Sequence, residues 1–286
     1  MIILKENDLK VGNISGFFDM HIHSKNSHDS ECDIFDMAKA AKQKGAAGFA
    51  VTDHCDVGFY KELNLKEIVG GSFFDAKKAD DETDLTILKG IEIGETILNK
   101  SVADEIINSF DFDVVIGSVH TVRLKNFEMP YSQIDFSKME KDVLEAFLNQ
   151  YFDDMLEMAE TFDFDILAHL TCPFRYINGK YMLGESCEKF DDKITKILNC
   201  IIKRKIALEI NTSCLYSGSK YPDFMPEKQI ICKYKKMGGE LITIGSDAHI
   251  SENFANSFDK AFEFIKSIGF ENVYYYKNRC AKKCAL

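Results

Sequence analysis

The chain is poor in several things, and each shortage closes off a class of protein. Four prolines among 286 residues, with 28% charged residues and 45% hydrophobic ones, argue against a disordered chain. No internal repeat or low-complexity tract interrupts it. No apolar run reaches the ~18 residues of a membrane helix, so no membrane partner is expected. The first residues, MIILKENDLKVGN, lack the apolar core and small-residue cleavage site of a signal peptide. Basic residues are in deficit, 35 against 46 acidic, for a formal net charge of −11. A duplex binder needs a basic stripe and a single-strand binder basic residues interleaved with aromatics; neither is present, so no nucleic-acid partner is expected. A small anionic substrate stays open, because bound metal ions are local charges that outweigh a global balance. The nine cysteines are odd in number and never spaced CxxC; Cys280 and Cys284 are separated by three residues in a basic tail. This excludes a disulfide framework and points to a reduced, cytoplasmic chain whose cysteines mostly pack as small hydrophobes.

What remains is an alternation of short β-rich runs and helical patterns. Strands are expected over 17–23, 48–52, 85–92, 114–119, 166–168, 207–210 and 241–244, with a short one at 273–276. Between them, Asp33 can cap a helix that carries Ile34, Met37, Ala38 and Ala41 on one face and ends at Gly45. Further helices are expected over 137–162, 194–202, 227–237 and 253–267. Such alternation predicts a parallel sheet. Seven units without a composition break predict one closed α/β barrel over residues 1–286. Residues 56–84, with the charged run KKADDETD, are expected as a surface excursion over one barrel mouth.

The seven histidines are then placed without exception. His21, His23 and His28 lie in DMHIHSKNSHD, residues 19–29, where the first strand ends. His54 follows the second strand, His120 the fourth, His169 the fifth and His249 the seventh, while Glu92 ends the third. In an α/β barrel those strand ends converge on the face where active sites are built. Residues i and i+2 of a strand share a side, so His21 and His23 can grip one ion. Imidazoles and carboxylates without clustered thiolates suit Zn, Mn or Fe, and suit calcium or a cysteine-zinc site poorly. The candidates are too many for one ion, which implies two or three divalent metal ions.

The ordered series His21, His23, Asp29, His54, Glu92, His120, His169, Asp247, His249 resembles the metal ligands of the PHP (polymerase and histidinol phosphatase) superfamily. Segments LEINTS at 208–213 and GFENV at 269–273 resemble its histidinol-phosphate phosphatase branch, and the likeness runs from Asp19 to about Arg279. The resemblance implies a distorted (βα)7 TIM-like barrel with three metals. His21, His23, Glu92 and Asp247 would hold the first, a bridging Glu92 with His120 and His169 the second, and Asp29, His54 and His249 the third. It implies hydrolysis of L-histidinol phosphate to L-histidinol and phosphate, in histidine biosynthesis. The nucleophile would be a metal-bridging hydroxide held by Glu92, Asp247, His120 and His169, attacking in line while the protein positions and neutralises.

Phosphate also suits an arginine fork. Arg175, six residues after His169, and Arg123, three after His120, are the expected clamps. Family members often carry a second basic residue in the loop after Asn-Thr-Ser; here Lys220 is the candidate. His28 is expected at the substrate entrance or as a solvated loop residue. Asp53 is expected to orient His54 or a neighbour, or to be structural. Glu31, Tyr216 and the 56–84 segment could reach substrate. Three other readings stand beside this one. The chain could be another PHP phosphoesterase, for a phosphoprotein, nucleotide or small metabolite. It could be an amidohydrolase-type metal hydrolase, which would commonly carry a bridging lysine on a middle strand, where His120 stands here. It could be a non-catalytic PHP module, whose mark would be ligand loss, whereas all nine positions are filled.

Overall fold

The computed structural model describes residues 15–58, 64–216, 218 and 220–285. The strands β1 (Phe18–Ile22), β2 (Gly48–Val51), β4 (Thr86–Gly94), β5 (Val114–Ser118), β6 (Ile166–Leu167), β7 (Ala207–Asn211) and β8 (Ile242–Gly245) pair in that order, each parallel to the next. Strand β3 (His54–Asp56) continues β2 along β4. Val51 faces Lys89 and His54 faces Glu92, so the register survives a break at Thr52-Asp53. The two pieces act as one barrel strand, which leaves seven. The first and last strands meet through an Ile22–Ala248 bridge. The Asp247 N–H also donates to His21 O at 2.8 Å, and the His23 N–H to Ala248 O at 2.9 Å. The barrel is nearly closed, and closure brings His21, His23 and Asp247 together.

Outer helices fill the crossovers: α1 (Ile34–Lys44), α2 (Leu65–Glu82), α3 (Lys100–Ile107), α4 (Lys141–Thr161), α5 (Pro173–Ile177), α6 (Asp191–Arg204), α7 (Lys228–Lys236) and α8 (Phe258–Ser267). Helix α1 shows why the local sequence suffices. Asp33 accepts the Phe35 N–H at 2.9 Å, Ile34, Met37, Ala38 and Ala41 are buried, and Gly45 ends the helix in the left-handed region, where glycine carries no Cβ penalty.

The expected excursion over 56–84 is corrected. Its first residues complete β3, residues 59–63 lie outside the described set, and 65–82 form α2, packed on β4. The charged run that reads as loop is the solvent face of an amphipathic helix: Lys77, Lys78 and Asp81 are exposed while Val69, Ser72, Ala76 and Ala79 are buried at helical spacing. Elsewhere the helix expected from 137 starts at Lys141 after a 3-10 turn, and that expected from 253 starts at Phe258. Helices α3 and α5 were not expected. The short final strand is half of an antiparallel hairpin, β9 (Asn272–Lys277) and β10 (Cys280–Ala285).

Two buried layers result. The outer one joins strands to helices. The inner one, with Met20, Ala50, Leu88, Val114 and Ile116, fills the barrel and takes Tyr276 from the hairpin. The hairpin turn also donates backbone N–H groups of Asn278 and Arg279 to Asp113, just before β5. Among the described residues the hairpin thereby covers the N-terminal end of the barrel, and the cavity opens at the C-terminal ends of the strands. No helix among the described residues is long and apolar enough to cross a membrane.

Candidate metal centre

Glu92 lies on β4 opposite His54 and Ile116. Its carboxylate is fully buried and ringed by imidazoles. Oε1 lies 2.9 Å from His169 Nε2 and 3.3 Å from His120 Nε2. Oε2 lies 2.8 Å from His54 Nδ1, 3.4 Å from His21 Nε2 and 3.7 Å from His23 Nε2. Asp247 Oδ1 comes within 3.2 Å of His23 Nε2. Toward the mouth, Asp29 Oδ2 sits 3.1 Å from His249 Nε2 and 3.5 Å from His54 Nε2. Four overlapping sets have their donor atoms within 4.8 Å of one another: His21/His23/Glu92, Glu92/His120/His169, His23/Asp29/His54/His249 and His54/Asp56/His120. The first three contain, apart from Asp247, the groupings that the resemblance implies.

Partners behind the rings fix which nitrogen faces inward. Glu209 Oε1 takes the Nδ1–H of His21 at 2.6 Å. Ser27 gives its one hydroxyl proton to Asp53 at 3.1 Å and so accepts from His23 Nδ1 at 3.0 Å. Asp56 takes His120 Nδ1 at 3.0 Å, and the Asp247 carbonyl takes His249 Nδ1 at 3.0 Å. In the neutral form of all four rings the lone pair is on Nε2, the arrangement that outer hydrogen bonds impose on metal-binding histidines.

These residues fit divalent cations. The Nε2 atoms of His21 and His23 face each other at 3.1 Å with both Nδ1 positions committed, so in the neutral rings two lone pairs converge on one point, where either a proton or a metal ion must sit. Glu92 Oε2, buried, lies 2.8 Å from His54 Nδ1, close enough for either a proton or a metal ion to hold the two together. Orphan lone pairs aimed at common points are costly unless a cation takes them up.

The charges agree. Burial and the neighbouring His249 and His54 push His23 down to about 3, which keeps its Nε2 lone pair available. Burial disfavours the Glu92 carboxylate, but His54, His120 and His21 hold it well below the ordinary carboxylate range. Burial likewise opposes a charged His54, yet Glu92 and Asp29 push it up to about 10. Protons and metal ions therefore compete for the same atoms.

Backbone strain collects at the same place. His169 and Asp247 have φ of 22° and 56°, in the left-handed region that non-glycine residues avoid. Gly245 matters for the opposite reason. A Cβ there would come within 2.4 Å of Glu209 Oε1 and 2.6 Å of His21 Cβ, so only a bare α-carbon admits the Glu209–His21 contact.

Above the imidazoles opens a cavity of about 350 Å³. Arg175, on α5, lines it and donates Nη1–H to Ser213 Oγ at 3.2 Å. His28 lines the rim, its ring 5.3 Å from that of His54, and Tyr216 and Asp56 line it too. Two expected clamps are corrected. Arg123 turns away from the cavity, because its Nε donates to buried Asp154 at 2.8 Å and its fork pairs with Glu157. Lys220 is exposed, with Nζ 3.5 Å from Met182 Sδ, and does not line the cavity; nor does the exposed Glu31. Asp53 reaches His23 and the His54 N–H through Ser27, and it is locked by Ser24 and Ser72 as well. Glu209 and Asp56 were not singled out from sequence. Glu209 carried a signal, a carboxylate inside the apolar run ALEI, which burial must provide with a partner. Asp56 carried none.

Comparison with known proteins adds to this geometry. The PHP domain family matches residues 19–213. The chain is similar to a probable histidinol-phosphatase of Clostridium acetobutylicum, 30% identical over 270 residues that cover 91% of this chain and 97% of the relative. It is similar to a histidinol-phosphatase of Lactococcus lactis, 29% identical over 262 residues, 89% of this chain and 92% of the relative. Its fold resembles the crystal structure of histidinol phosphate phosphatase from Lactococcus lactis complexed with zinc, L-histidinol and phosphate. That match has a TM-score of 0.77 at 24% identity, covering 94% of this chain and all of the other.

Proposed function

The chain belongs to the PHP domain family, and from that premise we propose that it is a metal-dependent phosphomonoesterase that hydrolyses L-histidinol phosphate to L-histidinol and phosphate, in histidine biosynthesis. The observation that carries the chemistry is the ring of five imidazoles converging on the buried Glu92 carboxylate. The substrate is supported by histidinol-phosphatase relatives that align over nearly the whole chain.

His21, His23, Glu92 and Asp247 would hold one divalent ion, Glu92, His120 and His169 a second, and Asp29, His54 and His249 a third. Zinc, manganese or iron would suit these donors. Bound there, the ions supply the positive charge and the activated water that phosphomonoester hydrolysis needs at neutral pH. The chain does the rest. Glu209, Ser27, Asp56 and the Asp247 carbonyl hold the rings so that no reorganisation is needed when charge develops. Arg175 remains charged at any working pH and faces the cavity, where its fork can take phosphoryl oxygens. The covered lower end of the barrel keeps bulk water from reaching the centre from below.

The test is phosphate release by protein loaded with Zn²⁺ or Mn²⁺, comparing L-histidinol phosphate with a panel of other phosphomonoesters and including His21→Ala. A kcat/KM preference of about 100-fold or more for histidinol phosphate, lost in the variant, is expected. Equal, slow turnover of every ester would overturn the substrate and leave a PHP phosphoesterase of other specificity.

A further inference from the structure

Three carboxylates line the cavity: Asp29, Asp247 and Asp56. Asp29 and Asp247 belong to the ligand series and Asp56 does not. Asp56 ends β3, and its side chain is only 5% exposed. Its Oδ1 accepts from His120 Nδ1 at 3.0 Å; no hydrogen bond reaches its Oδ2 among the described residues. A place has been made for it, since a Cβ on Gly94 would fall 2.1 Å from Oδ1. Orienting an imidazole does not require a charge. His249 is oriented by a backbone carbonyl, which is cheaper to bury than a carboxylate. A full negative charge on a cavity wall, half of it unused, calls for a cation from the cavity.

The geometry points to Asp56 as the specificity-determining residue that receives the primary ammonium of the substrate. The inference rests on the histidinol phosphate reading above. In that substrate the amine sits on the carbon next to the phosphorylated methylene. With the phosphoryl group against the His54 and His120 ligands, the ammonium must settle among their immediate neighbours. Asp56 has an oxygen within 4.8 Å of ring nitrogens of both. An ammonium brings three donors and no acceptor, which suits an oxygen whose twin is already taken. Tyr131, packed edge-on to His120 with ring centroids 6.1 Å apart, forms the adjoining wall, and the buried Glu95 beside Asp56 does not line the cavity.

The experiment compares L-histidinol phosphate with the deamino analogue, imidazolylpropyl phosphate, on metal-loaded wild type and Asp56→Asn. Asn keeps an oxygen for His120 and loses the charge. Wild type should prefer the amine by about 10- to 100-fold in kcat/KM, and the variant should bring that ratio to about one, whatever loss the two esters share. An unchanged ratio in the variant, with both esters slowed alike, would overturn the inference and leave Asp56 a positioning residue for His120. Should Asp56→Asn not fold, Gly94→Ala, which pushes the carboxylate aside, reads the same ratio. Calorimetry on wild type adds a second check, since equal Kd values for L-histidinol and imidazolylpropanol would also overturn it. The two readings fail separately. If wild type hydrolyses both esters fast and equally, only Asp56 loses its role. If it hydrolyses neither faster than a generic phosphomonoester, the substrate itself is wrong.

Discussion

The two ends of the barrel handle buried charge in opposite ways. At the closed end, carboxylates are matched one to one. Asp113 meets Lys89 Nζ at 2.7 Å, and Asp165 meets Arg279 Nε at 2.5 Å, while both also accept backbone N–H groups. At the open end, one carboxylate, Glu92, is approached by five imidazoles, and several buried atoms have no partner. At the closed end these carboxylates are paired by the chain's own side chains. The open end is complete only when something else joins it. That is the division of labour expected of such barrels, with stability at one face and chemistry at the other.

The sharpest way to break the contrast is to remove the central group. Glu92→Gln should cost about 10³-fold or more in kcat/KM, since it deletes the carboxylate common to two ligand sets, and metal analysis should show fewer ions per chain. Glu209→Gln should weaken metal affinity or activity about 10- to 100-fold, read by chelator titration, with a smaller effect on folding. Arg175→Ala should lower kcat/KM by about 10- to 100-fold, the worth of a charged hydrogen bond, with metal content intact.

At the closed end the effects should fall on stability instead. Arg279→Ala should cost about 1–3 kcal/mol by denaturant unfolding and leave kcat/KM of the loaded enzyme unchanged. Its pH dependence has a definite sign. Burial already raises Asp165 above its ordinary value, and Arg279 is the opposing influence. Without Arg279 the folded-state value rises further, so the folded variant holds its proton to higher pH than wild type does. The penalty should be small in acid, where Asp165 is protonated in both proteins, grow as pH rises from the wild-type folded-state value to the variant's higher one, and level off above it. The smallest effect belongs to a residue at neither end: Lys220→Ala should change stability by no more than about 0.5 kcal/mol and leave KM alone.

Much of the centre was legible because the fold is local in its logic. Ile34, Met37, Ala38 and Ala41 announce α1 by spacing alone. A histidine that follows an apolar run sits near a strand end whatever lies elsewhere, as His120, His169 and His249 do just past β5, β6 and β8. Charge was the poorer guide. The run KKADDETD looked like a loop and proved the wet face of α2, because the burial of Ala76 and Ala79 is a weaker signal than the charges between them. Arg123 and Arg175 looked alike, each a few residues past a histidine. Only the packing separated them, by placing Asp154 and Glu157 of α4 beside the first and the cavity beside the second.

By itself, then, the sequence determined through periodicity the barrel and the strand ends near which the histidines stand, while the order of the nine candidate ligands was legible only as a resemblance. The tertiary structure alone decided that Glu92 is the centre, that Glu209 and Asp56 stand behind His21 and His120, and which arginine reaches the cavity. A long or charged side chain goes where its nearest counter-charge lies. That neighbour is up to 188 residues away in the chain for Glu209 and His21, a distance over which no local pattern carries information.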